Sequence, residues 1–495
     1  MNRELEDWLV EADIKSMQTA MEAGLLRSEE LVVAYIARIS KYDVNLHTVL
    51  EINPDAVDIA KALDKERAEK GSRGSLHGIP ILLKDNIDTH DRMHTSAGSI
   101  ALADSTAAED SFVAAQLRSA GAVILGKTNM TEWAGFMSST IWAGYSSRGG
   151  LTLNPYDPGE LFVGGSSSGS AAAIAANLGA AAIGTETSGS IISPASQNSL
   201  VGIKPTVGLI SRSGIIPIAH SQDSAGPIAR TVTDAAIVLG ALTGKDARDV
   251  DTLSSLNRSY RDYAQFLDVD YLQQARIGIP RFYYEDLDED RLAIVEAAIV
   301  VLKNKGTTII DPVELPCQST VWDWHVLKYE FKKDLNDYLV RLPANIQVHS
   351  LQDVIAFNER NTEKALKYGQ DILIDSDKTS GTLTEQEYLD SKSKNAEMSR
   401  RQGIDFALEK HRLDALLFLG NEGGSDLAAR AGYPLITVPG GYAVNGVIAP
   451  GGYQTKGPQG ITFVGTAYSE PTLIKIAYGF EQATKHRRAP HLDAK

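Results

Sequence analysis

The densest concentration of chemistry-bearing residues is VGGSSSGSAAAIAANLGAAAIGTETSGSIISPAS (163–196), in which two Gly/Ser clusters, GGSSSGS (164–170) and TSGSI (187–191), flank a small-residue segment. A serine hydroxyl becomes a nucleophile once a base takes its proton, and glycines let backbone N–H groups approach a ligand closely. Either cluster alone reads as an ordinary turn. Two in succession can meet at one site, one supplying the nucleophile and the other a proton relay. Upstream, Lys84 follows the apolar run of HGIPILLKDNI (77–87). Burial disfavours an ammonium and can convert a lysine into a general base. The competing reading of such a lysine is a strand-end cation paired with Asp85.

Other chemistries compete for the same residues. Gly165-Ser166-Ser167-Ser168-Gly169 matches GxSxG between an apolar run and a helical one, which would make Ser167 an esterase nucleophile served by a later acid and a histidine. His220, His325, His349 and His411 are available, none in a distinctive motif. The phosphate-cradling patterns GxxxxGK[ST] and GxGxxG are missing, which argues against nucleotide binding. His90 and His94 stand four apart in THDRMH, a zinc spacing. Asp91 replaces the expected Glu there and the flanks read as a turn, so no metal is expected. Ser391 and Lys394 satisfy SxxK without any companion motif.

Composition narrows the partners. The 495 residues are 43% apolar and carry 63 acidic against 48 basic side chains, for a net charge of -15. No Lys/Arg block stands out, so a nucleic-acid partner is not expected. The single cysteine, Cys317, forms no internal disulfide and reads as a small core residue. The N-terminal stretch is charged throughout and lacks the apolar core of a signal peptide. The run 171–184 is too short and too rich in Ala and Gly to span a bilayer. A soluble cytoplasmic protein is expected.

The elements that must hold these motifs read as α/β. Residues 4–70 read as helix, with Ser28 as N-cap of the segment containing LVVAYIARI. From residue 71, Gly/Pro-punctuated apolar runs alternate with helical patterns, as in a largely buried sheet covered by helices. ARIGIPRF (275–282), TTIIDPVEL (307–315), ALLFLG (415–420) and YPLITVPGGY (433–442) read as later strands. The stretch 319–412 is polar and helical, with Trp324, Phe331, Leu335 and Tyr338 on one face as a core stripe. This organisation predicts an N-terminal helical arm over 1–70 and one α/β domain over 71–495, interrupted by a helical excursion at about 319–412.

The three motifs, followed by GIKPTVGLIS (202–211), closely resemble the amidase signature family in order and spacing, from about residue 25 to FEQAT (480–484). The resemblance implies a mixed twisted β-sheet covered by α-helices and hydrolysis of amide C–N bonds without cofactor or metal. It implies Lys84 as general base and Ser166, after a cis peptide bond, as relay. Ser190 would be the nucleophile, and the backbone N–H groups of Thr187, Ser188, Gly189 and Ser190 the oxyanion hole. Ile192 stands where the family's common TDTGGSIR pattern has arginine, unlike the glutamine-using subunit of the tRNA amidotransferase. TETSGSI, IPIAHSQDSAGPIAR (216–230) and AGYPLITVPGGY (431–442) are most similar to the bacterial peptide amidase branch. Its members deamidate peptide C-terminal carboxamides, and relatives cleave aryl acylamides. The substrate implied is therefore a small-molecule or peptide amide. An aryl or fatty acylamide hydrolase, a GxSxG esterase and a non-catalytic amidotransferase-like subunit stay open beside it. That branch usually carries Asp where Ser188 stands, which predicts an altered leaving-group or substrate preference. Phe136, Met137, Trp142 and Tyr145, in TEWAGFMSSTIWAGYSSRGG (131–150), are candidate substrate-lining residues.

Overall fold

An unbroken apolar run such as Ile79 to Leu83 has no polar face to turn to water, so a strand made from it must be covered on both sides. The computed structural model, which describes residues 3–449 and 451–492, is built around such strands. They are β1 (Val49–Ile52), β2 (Pro80–Lys84), β3 (Val123–Thr128), β4 (Tyr145–Ser146), β5 (Gly150–Leu151), β6 (Ala181–Glu186), β7 (Val201–Lys204), β8 (Ser224–Ala229), β9 (Arg276–Gly278), β10 (Thr308–Ile310), β11 (Ala415–Leu419), β12 (Leu435–Ala443) and β13 (Gly457–Val464). Eleven of them form one sheet in the order β1-β3-β2-β6-β8-β7-β12-β13-β11-β9-β10, while β4 and β5 pair as a separate short hairpin. The sheet is mixed: β2 lies parallel to β3 and β6, whereas β8 runs antiparallel to both β6 and β7. Every residue of β2, β3, β6, β7, β8 and β11 is buried.

Helices provide that cover. Ser168–Ala175 and Ile192–Gln197 touch each other and the central strands, while Val232–Leu242, Glu289–Asn304 and Glu470–Thr484 form a second group packed on β7, β8 and β12. The stretch after residue 319 holds helices and no strand of the sheet until β11. Its helices His325–Leu339, Leu351–Arg360 and Asp371–Asp377 supply Phe331, Leu335, Leu351 and Leu373 to a second apolar cluster with Met130, Trp133, Phe136 and Ile218.

Several local expectations are corrected. Residues 4–70 are not all helical, because Val49–Ile52 forms β1 and pairs antiparallel with β3. Ser28 does not cap its helix. It is the first helical residue of Ser28–Tyr42, and its hydroxyl donates to the Gly78 carbonyl at 2.8 Å. The orphan N–H groups of that helix end are taken instead by Asp64, which accepts from Ser28 and Glu29, and by Glu30, which accepts from Arg27. One carboxylate distant in sequence, Asp64, and one in the helix's own first turn, Glu30, thus do what the Ser28 hydroxyl was expected to do. Of the predicted core stripe, Phe331, Leu335 and Tyr338 are buried but Trp324 is 49% exposed, since it precedes the first turn of its helix.

Candidate active site

Lys84 ends β2 and Thr185 lies near the end of β6, and the two strands run parallel with Leu83 opposite Ile183. Both side chains therefore emerge at the carboxyl ends of neighbouring strands, where α/β sheets place their sites. The first Gly/Ser cluster precedes helix Ser168–Ala175, and the second follows β6 into helix Ile192–Gln197. They meet because Gly164, at φ +74°, packs where a Cβ would fall 2.6 Å from Pro194 Cα. The Ser167 N–H then donates to the Ser190 carbonyl at 3.1 Å. The Gly165–Ser166 peptide bond is cis.

Lys84 is wholly buried. Its Nζ lies 2.8 Å from Ser166 Oγ, 2.8 Å from Thr185 Oγ1 and 3.1 Å from the Thr185 carbonyl oxygen. Asp85, its neighbour in sequence, is turned elsewhere: it accepts from the Gly98 N–H at 2.9 Å, from Arg148 at 3.1 Å and from the Ser96 hydroxyl. Removal from water without an adjoining carboxylate pulls the lysine down to about 7, against the more distant pull of Glu186 and Asp223. Asn86 donates from Nδ2 to Thr185 Oγ1 at 3.0 Å, and its Oδ1 is buried without a partner.

The loop carrying Ser190 is held from two sides. The Glu186 carboxylate accepts the N–H groups of Ile191 at 2.7 Å and Ile192 at 3.0 Å, with the Gly189 amide also drawn to it. Asp223 accepts from the Thr187 hydroxyl at 2.5 Å and from the N–H groups of Ile218 and Ala219 at 2.8 and 2.9 Å. Burial pushes Asp223 up to about 6 despite these donors. Ser166 and Ser190 are 2% and 8% exposed. A cavity of about 640 Å³ reaches the site, with Asn86, Thr185, Thr187 and Asp223 among its lining residues and Ile216 and Tyr338 in its wall.

The competing motifs lie in different surroundings. Ser167 is 0% exposed, and its hydroxyl donates to the Thr185 carbonyl at 3.1 Å while accepting the Thr185 N–H at 3.2 Å. A nucleophile elbow must instead present its hydroxyl to the substrate. His94 pairs with Glu51 at 2.7 Å, whereas His90 Nδ1 faces the Ala107 carbonyl at 3.2 Å, so the two rings do not share a partner. Ser391 bonds to Asp323, and Lys394 donates to the Val321 carbonyl at 2.6 Å.

The four candidate substrate-lining residues divide. Phe136 and Met137 are 5% and 2% exposed in the second apolar cluster, where Phe136 packs edge-on against Phe331 at 5.1 Å. Trp142 and Tyr145 join a partly exposed aromatic group with Tyr368 at 5.6 and 4.9 Å. None of the four is among the residues lining the cavity. Thr185, Asn86, Glu186 and Asp223 escaped the sequence reading. All four stood inside the quoted motifs, Asp223 in IPIAHSQDSAGPIAR, but none carried a local signal that marked it out from its neighbours.

Among the described residues no helix is long and apolar enough to cross a membrane. The family model described as Amidase matches residues 30–418. A probable amidase of Arabidopsis thaliana is 42% identical across 97% of this chain and 91% of its own length. Among solved structures, the native peptide amidase of Stenotrophomonas maltophilia is 42% identical, with 98% of this chain and 99% of that one covered and a TM-score of 0.88. An amidase family protein of Bacillus anthracis is 39% identical over 99% and 94% of the two chains, with a TM-score of 0.91. By these likenesses, spread over nearly its whole length, the chain belongs to the amidase signature family of amide-hydrolysing enzymes.

Proposed function

We propose that this enzyme cleaves the carboxamide C–N bond of a peptide C-terminal amide or another small amide, through Ser190, Ser166 and Lys84 and an acyl-enzyme. The observation that carries this reading is the surroundings of Lys84, which is wholly buried, drawn down to about 7, and bonded to Ser166 and Thr185 with no carboxylate in hydrogen-bond reach among the described residues. A neutral amine has two hydrogens and one lone pair. The two hydrogens match the carbonyl and hydroxyl oxygens of Thr185, and the lone pair then accepts the Ser166 O–H.

In this scheme Ser166 passes the Ser190 proton to Lys84 as Ser190 Oγ attacks the amide carbonyl. The oxyanion that forms is met by backbone N–H groups of the segment Thr187, Ser188, Gly189 and Ser190, where one such donor is typically worth about 3 kcal/mol. Glu186 and Asp223 position that segment through Ile191, Ile192 and Thr187. The proton returns through Ser166 to the departing nitrogen, the C–N bond breaks, and water later attacks the ester of Ser190 by the same relay in reverse. No step requires histidine, metal or cofactor. The likeness to the Stenotrophomonas peptide amidase supports the choice of a peptide amide.

A fluorophosphonate probe tests the assignment. It should label the chain at Ser190, with ammonia released from peptide amides ahead of anilides, fatty amides and free glutamine. Label at Ser167 would favour the esterase elbow, and no label would favour a non-catalytic, amidotransferase-like subunit.

A further inference from the structure

The Ser188–Gly189 segment faces a part of the molecule that the scheme above leaves unused. The Ser188 hydroxyl donates to Asp426, a residue of helix Gly424–Ala431 distant in sequence. The Asp426 side chain is 62% exposed, and Arg430 approaches the same carboxylate oxygen at 3.7 Å from a seat that is only 9% exposed. Arg430 in turn lies over the Trp322 ring at 4.6 Å, so the carboxylate is held in place without being covered. Beside it, a Cβ on Gly189 would come 3.6 Å from Asn421 Cβ and 3.8 Å from Ser425 Cβ. Ser425 is 1% exposed, and its hydroxyl has no partner.

The two sides of the loop differ in what they can receive. Lys84 and Asn86 both bond Thr185, and Asn86, Thr185 and Thr187 line the large cavity, to which Ser188, Ser425 and Asp426 do not contribute. A proton returned by Lys84 must reach the leaving nitrogen, which places that nitrogen on the cavity side. The other side of the loop, where the Ser188 hydroxyl meets Asp426, is then the side left for the acyl substituent. A carboxylate bonded to a neighbouring hydroxyl and still open to solvent accepts hydrogen bonds from N–H groups.

Resting on the assignment of Ser190, we propose that Asp426 and Ser188 form an acyl-side acceptor site for an N–H-bearing group of the substrate. The site selects amides of α-amino acids and peptides over plain acylamides. The group received is an α-ammonium or a backbone amide N–H, and the test separates the two.

The experiment measures kcat/KM for three amides of similar acyl size: an amino-acid amide with a free α-ammonium, its N-acetyl derivative, and an acylamide with no nitrogen in the acyl part. Asp426→Ala should lower the first two about tenfold, the effect of roughly one charge-assisted hydrogen bond, and leave the third unchanged. Asp426→Asn keeps an acceptor but not the charge. A loss confined to the ammonium substrate assigns the site to α-ammonium, and retention of both assigns it to a backbone N–H. Equal change in all three substrates with Asp426→Ala, or none in any, overturns the proposal. Ser190→Ala in the same series should abolish turnover of all three. Surviving turnover there refutes the nucleophile assignment instead, whatever Asp426 does.

Discussion

Lys84 on β2 and Lys127 on β3 lie one register position apart, with Leu83 opposite Lys127 and Lys84 opposite Thr128, so their side chains leave opposite faces of the sheet. Both are wholly buried. Lys127 donates to the Ile87 carbonyl at 2.7 Å and to Thr95 Oγ1 at 2.9 Å, and Asp85, Asp88 and Asp91 oppose the effect of burial on its charge. Lys84 has around it only hydroxyls and one carbonyl, with Glu186 and Asp223 acting from a distance. Burial alone therefore does not separate the lysine proposed as a base from a structural one. What separates them is how many carboxylates favour the ammonium, three at Lys127 against two at Lys84, and that the hydroxyl beside Lys84 belongs to Ser166 in the first Gly/Ser cluster.

The comparison breaks most directly by removing each lysine. Lys84→Ala should leave a folded protein whose amide turnover falls by on the order of 10⁴ or more. Lys127→Ala should instead remove a buried cation that Asp85 and Asp88 feel, leave the Ile87 carbonyl and the Thr95 hydroxyl without their donor, and cost about 1–3 kcal/mol of stability, read as a lower urea midpoint. Equal destabilisation by both replacements would sink the distinction.

Next in size is the contrast between neighbouring serines. Ser166→Ala should reduce kcat by about 10²-fold or more through loss of the relay. Ser167→Ala should keep turnover within a few-fold and cost about 1 kcal/mol, because its hydroxyl bonds only the Thr185 main chain.

The pH profile sharpens the contrast further. A base works unprotonated, and Lys84 loses its proton as pH rises through about 7. Log kcat/KM should thus climb with pH, level off above 7 and fall on acidification. Thr185→Val removes an acceptor that favours the ammonium form, so the inflection should move to lower pH. An unmoved inflection would mean that a group other than Lys84 titrates. The smallest effect is expected at the histidine pair. His94→Ala, or a chelator added to the wild-type enzyme, should leave ammonia release unchanged, and chelator-sensitive turnover would bring His90 and His94 back as ligands.

The strands at 275–282, 307–315, 415–420 and 433–442 were legible because each is a continuous apolar run cut by Gly or Pro, and they appear as β9, β10, β11 and β12. β1 was not legible, since all four of its residues are only half-buried at the edge of the sheet and their sequence carries no strong period. Ser28 misled because the sequence offered a local cap, while the folded chain brings Asp64 to the same N–H groups.

At the site, the chain's own text set the groups proposed to react: one lysine after an apolar run and two serine clusters that make sense only as a set. Tertiary structure decided which hydroxyl each serine has left to offer. Ser167, the formal centre of GxSxG, is locked to β6, while Ser166 beside it faces Lys84. Folding also turned Asp85 away from Lys84, and it brought Asp223 to Thr187 and Asp426 to Ser188. The physical reason is range: residue type and spacing are written along the chain, whereas a group's proton affinity and its free hydrogen-bonding capacity depend on neighbours that only packing supplies.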